Sequence, residues 1–238
     1  MVYAAVLAGG IGSRMGADLP KQYLKIGGDG GIPIIALSVR KFVSHPAVAH
    51  TVILTPGDWV SYTQDLLAEY LPDTSRYTVI AGGETRNDTL YNSLMFFEEH
   101  FSVSDTDVIL THDAVRPFVT ERIIDDNIRL AEQYGGCNTV IPATDTIMES
   151  KGGEVIEAIP NRADLYQVQT PQSFNLRKLR GLMESLTDEE AAILTDGSKI
   201  FLMRGEPCYL VQGEVYNIKI TYPTDMAIAN AFYDALEK

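Results

Sequence analysis

The sequence predicts a doubly wound α/β fold, a mostly parallel, Rossmann-like sheet with helices on both faces. Three observations carry this. Between residues 2 and 143, short apolar runs alternate with longer segments of helical spacing. The short runs are continuously apolar rather than alternating, as in strands buried on both faces. A glycine-rich loop follows the first run directly, where open α/β sheets bind ligands at the carboxyl ends of their strands.

The elements follow in order. VYAAVL (2–7) reads as the first strand, and LAGGIGSRMGADLPKQYL (7–24) carries the loop after it. IPIIALSVRKFVS (32–44) reads as a helix with Pro33 in its first turn, a position where the missing N–H does no harm. HTVILT (50–55) is a strand, GDWVSYTQDLLAEYL (57–71) a helix, and YTVIAGG (77–83) a strand ending in glycines. TRNDTLYNSLMFFEEHF (85–101) is a helix, with Thr85 and Asp88 at capping-box spacing. DVILTHDAVRP (107–117) is a strand with a polar carboxyl end, stopped by Pro117. TERIIDDNIRLAEQYG (120–135) is a helix ended by glycine, and NTVIPA (138–143) is another strand.

Residues 144–174 break the rhythm. A Gly152, Gly153 turn between two short β-like runs suggests a protruding β-arm or hairpin. Helices are expected near 175–186 and 188–204, strands near 208–221, and a closing helix from PTDMAIANAFYDALEK. Repeats and low-complexity segments are absent, so residues 1–238 are expected to form one domain carrying the arm.

Composition narrows the partners. The chain has 238 residues, 45% hydrophobic and 21% charged, with a formal net charge of −13. No apolar run approaches the roughly 20 residues that span a bilayer, and no basic leader precedes the first strand. The expected compartment is the cytoplasm, with no membrane partner. A surface this acidic repels nucleic-acid backbones, so an anionic substrate needs a local basic pocket. Cys137 and Cys208 lack metal or redox spacing and are expected as buried thiols. The four histidines, His45, His50, His100 and His112, show no ligand spacing, and no zinc site is expected.

Four polar stretches are candidates for chemistry. The first loop is not a Walker loop, because Lys21 is followed by Gln22. Nor is it a dinucleotide loop, because Met15 stands where the third glycine belongs. Gly9, Gly10 and Gly12 let backbone N–H groups approach an anion closely. Arg14 and Lys21 can reach one polyphosphate from a curled loop; a flexible turn with two solvated cations is the competing reading. At the second, Gly82 and Gly83 precede a helix N-terminus with Arg86 and Thr89 in its first turns. That suits an anion or a base edge, or an ordinary capped helix start.

The third, THDAVRP, presents His112, Asp113 and Arg116 at a strand end. Asp113 could hold a divalent ion, since magnesium takes one or two carboxylates plus substrate phosphates; an Asp–Arg pair closing the loop is the alternative. The fourth is NIKIT (217–221), where Lys219 would face outward from a strand, either at a site or into solvent. Together these suit a magnesium–nucleotide polyphosphate.

LAGGIGSRMGADLPKQYL, AGGETRNDTL, THDAVRPF, QTPQSF and NIKITYPTD resemble, in order and over essentially the whole chain, the cytidylyltransferases that act on polyol phosphates. The resemblance implies a nucleotidyltransferase fold and transfer of CMP from CTP, with release of pyrophosphate. It implies that Leu7, Ala8, Gly9 and Gly10 line the nucleotide site. Ala81, Gly82, Gly83, Glu84, Thr85, Arg86, Asn87 and Thr89 would hold cytosine and ribose, with Arg116 completing the CTP contacts. Arg14 and Lys21 match the pair that stabilises the transition state, and Asp113 the magnesium position. Arg162 and Lys219 match the acceptor-phosphate pair, and Thr146 a further acceptor contact. In relatives the arm interlocks with a second subunit, which implies a homodimer.

Two branches share the motifs, and GIGSRMG…LPKQ, HDAVRPF and LTDGSKI are more similar to the ribitol-5-phosphate branch. The expected reaction is therefore CMP transfer to D-ribitol 5-phosphate, which would feed teichoic acid or capsule precursors. The alternatives are 2-C-methyl-D-erythritol 4-phosphate as acceptor, a sugar-1-phosphate nucleotidyltransferase using UTP or dTTP, or a non-catalytic nucleotide-binding module. One departure is Val168, where relatives tend to carry glycine.

Overall fold

The computed structural model describes residues 1–10, 19–28, 30–194 and 196–236. In chain order the elements are β1 (Val2–Leu7), β2 (Lys25–Ile26), β3 (Ile32–Pro33), α1 (Ile34–Val43), β4 (Val48–Thr55), α2 (Val60–Tyr70), β5 (Tyr77–Ala81) and α3 (Arg86–His100). They continue with β6 (Val108–Asp113), α4 (Glu121–Tyr134), β7 (Gly136–Pro142), β8 (Tyr166–Asn175), α5 (Leu176–Glu184), α6 (Asp188–Ala192), α7 (Gly197–Met203), β9 (Tyr209–Gln212) and α8 (Pro223–Leu236). Seven strands form one sheet in the order β5-β4-β1-β6-β8-β7-β9, and β2 pairs with β3 apart from it.

The apolar runs explain the layering. All six residues of β1 are buried. Val2, Ala4 and Val6 pack on one face with α1, α2 and α4. Tyr3, Ala5 and Leu7 pack on the other with α3, α5 and α7. A third cluster seats α8 through Ala229 against Ile26, Ile34, Val115 and Ile220. The doubly wound, mostly parallel fold is thus present: β1, β4, β5 and β6 pair in parallel, as do β7 and β9. No helix among the described residues is long and apolar enough to cross a membrane.

Helix starts follow local chemistry. Thr85 and Asp88 form the full capping box of α3. Thr120 caps α4, and Gly135 ends it in the left-handed region at φ 86°, a conformation glycine adopts without steric cost.

The structure departs from the sequence reading at three places. Residues 166–174, read as part of the arm, belong to β8, the strand running antiparallel to both neighbours. Its buried residues include Gln169, Thr170, Gln172 and Ser173, so it lacks the apolar run that marks a buried strand. Side-chain hydrogen bonds make this burial tolerable: Ser173 donates to Asn127 at 2.9 Å, and Gln169 to the Glu214 carbonyl at 2.8 Å. What projects is 143–165, with one isolated bridge between Glu149 and Ala158.

The helix expected over 188–204 is two short helices, α6 and α7, each with its own cap, Thr187 and Asp196. The strand expected through 221 is confined to β9. Residues 217–221 belong to no strand, though Ile220 N–H is bonded to the Val115 carbonyl at 2.9 Å.

Candidate active site

Topology selects the place. From β1 the chain winds outward to β4 and β5, then returns to β6 on β1's other side, so the switch point lies between β1 and β6. Leu7 and Asp113, their carboxyl-terminal residues, stand opposite each other. A cavity of about 320 Å³ opens there, lined by Leu7, Ala8, Gly9, Gly10, Lys21, Gln22, Gly83, Glu84, Thr85, Arg86, Thr89, Asp113, Val115 and Lys219.

Lys21 reaches this cavity from a single 3-10 turn, Lys21–Tyr23. Its neighbours hold the turn. Gln22 Nε2 donates to the Ala8 carbonyl at 2.9 Å. The Tyr23 hydroxyl meets those of Thr55 and Thr63 at 3.0 and 2.8 Å, while its ring stacks on Trp59. Two buried anchors directly after Lys21 pre-position a flexible side chain, which lowers the entropy lost on binding a ligand.

The opposite wall is the loop from β5 to α3. Gly83 N–H donates to Thr89 Oγ1 at 3.0 Å. A Cβ at Gly83 would lie 2.2 Å from Asp88 Cβ and 2.9 Å from Thr89 N, so only glycine allows the strand end to fold onto the helix start.

The floor is ionic. Asp113 Oδ1 accepts from Arg86 Nη1 at 2.7 Å, and Oδ2 lies 2.8 Å from Lys219 Nζ and 3.9 Å from Arg116 Nε. Burial opposes ionisation of Asp113, but Arg86, Lys219 and Arg116 outweigh it and hold the carboxyl well below the usual carboxylate range. Behind it, Asp113 N–H donates to Thr170 Oγ1 at 3.1 Å. An anionic centre ringed by cations can exchange partners with an incoming phosphate or a divalent ion.

Most of the expected nucleotide residues meet here. Ala81, Gly82 and Asn87 do not line the cavity: Ala81 ends β5, Gly82 N–H bonds the Thr55 carbonyl, and Asn87 Nδ2 bonds the Ala191 carbonyl. Arg116, expected as a CTP contact, is turned inward. Its guanidinium donates to the carbonyls of Asn217 at 2.8 Å and Val168 at 3.3 Å. Arg14 lies outside the described residues. Thr146 and Arg162 sit exposed on the arm, away from the cavity, where Arg162 Nη1 donates to the Thr144 carbonyl at 2.9 Å. Sequence reasoning missed Gln22, Val115 and the supporting Thr170. Gln22 adjoins Lys21 and Thr170 lies within QTPQSF, but nothing in their residue types announces these contacts.

The comparisons narrow the identity. Residues 2–235 match the family model for 2-C-methyl-D-erythritol 4-phosphate cytidylyltransferase, IspD. A Francisella tularensis 2-C-methyl-D-erythritol 4-phosphate cytidylyltransferase superposes with TM-score 0.80 at 25% identity, covering 97% of this chain and 98% of that one. A 4-diphosphocytidyl-2C-methyl-D-erythritol synthase superposes with TM-score 0.79 at 27% identity, covering 98% and 99%. The corresponding synthase of Anaerococcus prevotii shares the fold at TM-score 0.79 and 24% identity, covering 98% and 96%.

The family match overturns the ribitol assignment and, with it, the teichoic-acid setting. Two stretches behind that assignment have packing roles. In LTDGSKI, Asp196 caps α7 and Gly197 abuts the Phe174 ring. In HDAVRPF, Val115 and Phe118 pack beneath α8. The chain is a cytidylyltransferase, a nucleotidyltransferase enzyme that belongs to the 2-C-methyl-D-erythritol 4-phosphate cytidylyltransferase (IspD) family.

Proposed function

We propose that the chain transfers CMP from CTP to 2-C-methyl-D-erythritol 4-phosphate, releasing pyrophosphate. The observation that carries this is that Lys21 lines the same glycine-walled cavity as Asp113 and its partners Arg86 and Lys219, in an otherwise acidic chain. The family match supports both substrates.

The acceptor phosphate needs no strong base. Its second pKa is near 6, so it is mostly dianionic at pH 7. One of its oxygens bonds to the α-phosphorus of CTP as the bond to the β-phosphate bridge breaks, and the electron pair departs with pyrophosphate. Rate then comes from alignment and from cations facing the developing charge. Lys21, with Arg14, takes that role. Gly9 and Gly10 give the triphosphate a close backbone approach, and Gly83 to Arg86 with Thr89 form the wall for cytosine and ribose. Lys219 receives the acceptor phosphate. Thr146 and Arg162 do so from the arm of a second subunit in a homodimer.

Asp113 fits a magnesium ion bound mainly through nucleotide phosphates, being one buried carboxylate kept ionised at the cavity floor. When bound, the ion neutralises polyphosphate charge. Arg86 and Lys219 are partly exposed and able to turn from Asp113 toward the ligand.

The test is pyrophosphate release from CTP with 2-C-methyl-D-erythritol 4-phosphate and magnesium, the cytidine diphosphate product being followed by ³¹P NMR. Failure of wild-type protein to release pyrophosphate with this pair rejects the reading.

A further inference from the structure

His112 is fully buried one residue before Asp113, and the reaction above gives it no role. Its ring sits 4.9 Å from the Phe42 ring, centroid to centroid. Both nitrogens are engaged: Nε2 lies 3.0 Å from the Arg116 carbonyl and Nδ1 2.9 Å from Thr170 Oγ1. A carbonyl only accepts, so Nε2 carries the proton and donates to Arg116. Nδ1 then accepts from the Thr170 hydroxyl, whose oxygen receives Asp113 N–H.

We propose that His112 is a positioning residue for the acceptor side of the site, bracing the 113–116 turn between Thr170 and Arg116. The chain of contacts is continuous. His112 fixes the Arg116 backbone, Arg116 Nη1 grips the Asn217 carbonyl, and Lys219, two residues on, meets Asp113. Asn217 closes the circuit by donating to the Thr170 carbonyl at 3.0 Å. Asp113 keeps its bonds to Thr170 and Arg86 when the imidazole is removed, while the Arg116 carbonyl loses its donor, so the effect falls mainly on the Arg116–Asn217–Lys219 side that faces the acceptor.

The two ends are not equivalent. Thr170 Oγ1 keeps Asp113 N–H when the ring is lost, whereas among the described residues the Arg116 carbonyl accepts only from His112. Glutamine places an amide donor near the Nε2 position, and asparagine reproduces only the Nδ1 end.

The inference rests on the proposed reaction, so wild-type turnover is measured first; its absence rejects that reading rather than this one. With turnover present, KM and kcat are determined for each substrate in His112→Gln, His112→Asn and His112→Phe. The acceptor kcat/KM is expected to fall about tenfold in the Asn variant, the scale of one lost hydrogen bond. In the Gln variant it should stay within about threefold of wild type, and the CTP KM within about threefold in both. Equal losses for both substrates in the Gln and Asn variants, or an Asn variant with wild-type acceptor kinetics, overturn the proposal. These two decide the matter even when the Phe variant does not fold.

Discussion

Lys219 Nζ lies 2.8 Å from Asp113 Oδ2, joining the end of a central strand to a late segment that has no sheet ladder of its own. Arg86 holds the other carboxylate oxygen from the nucleotide wall. One carboxylate thus ties together the two halves of the proposed site.

Replacing that carboxylate touches both stability and function. In Asp113→Asn, Arg86 and Lys219 are more than a third exposed and can turn to water, but the buried Arg116 also loses its anion, so stability should drop by about 3 kcal/mol. Melting should shift by roughly 6–12 °C for a chain of this size. Turnover at saturating CTP should fall about 10²-fold or more, as when one preorganised electrostatic group is removed. Magnesium titration should also show weaker metal dependence. Near-normal turnover with unaltered magnesium titration removes Asp113 from the reaction.

Lys21→Ala and Arg14→Ala should lose mainly kcat, by roughly 10²-fold or more. In the proposed reaction their cations stabilise charge that exists only as the bond to pyrophosphate breaks. Steady-state kinetics with both substrates varied tests this. A rise in KM with kcat preserved assigns the residue to ground-state binding instead.

Gly83→Ala forces a Cβ into contact with Asp88 and the α3 backbone. The loop must shift against the helix start, disturbing the Thr85–Asp88 capping box and displacing Arg86. The CTP KM should rise about tenfold, equivalent to about 1.4 kcal/mol, with the acceptor KM little changed. Calorimetric titration with CTP gives an independent reading.

The acid limb of the rate profile should belong to the acceptor. Asp113 is held well below the usual carboxylate range, so it stays ionised through the working pH. The acceptor phosphate loses its dianion below about pH 6, and its kcat/KM should then fall about tenfold per pH unit. A flat profile to pH 5 contradicts attack by the dianion.

The arm carries Ile147, Met148, Val155, Ile156 and Ile159 exposed by 40 to 71%. That much apolar surface on one projection suits burial against a second copy. Light scattering after gel filtration should give the mass of two chains for wild type. The Ile156→Asp, Ile159→Asp double variant should give one chain and lose acceptor turnover. A single-chain wild type with full activity contradicts the shared site.

How legible was this in the sequence? Continuous apolar runs predicted β1, β4 and β6, because burial on both faces demands them. The Gly83 loop and the Thr85–Asp88 cap were legible because special backbone geometry needs particular residues. β8 was hidden because its buried side chains are polar and depend on partners such as Asn127 and Glu214, far away in sequence. Arg116 illustrates the same limit. Its place beside Asp113 is written in THDAVRP, but its grip on Asn217 is a property of tertiary packing. The acceptor was misread because LTDGSKI and HDAVRPF seemed diagnostic of a substrate, while the structure uses them to start a helix and fill a core.

The arm leaves the sheet at Pro142 and returns at Tyr166, and these two residues are cross-strand neighbours. Its feet are planted in adjacent, paired strands. A tug on its tip is therefore a mechanical load on β8, whose Thr170 touches the backbone of Asp113. A second chain grasping the arm would pull, through a lever about one strand long, on the floor of its neighbour's reaction centre.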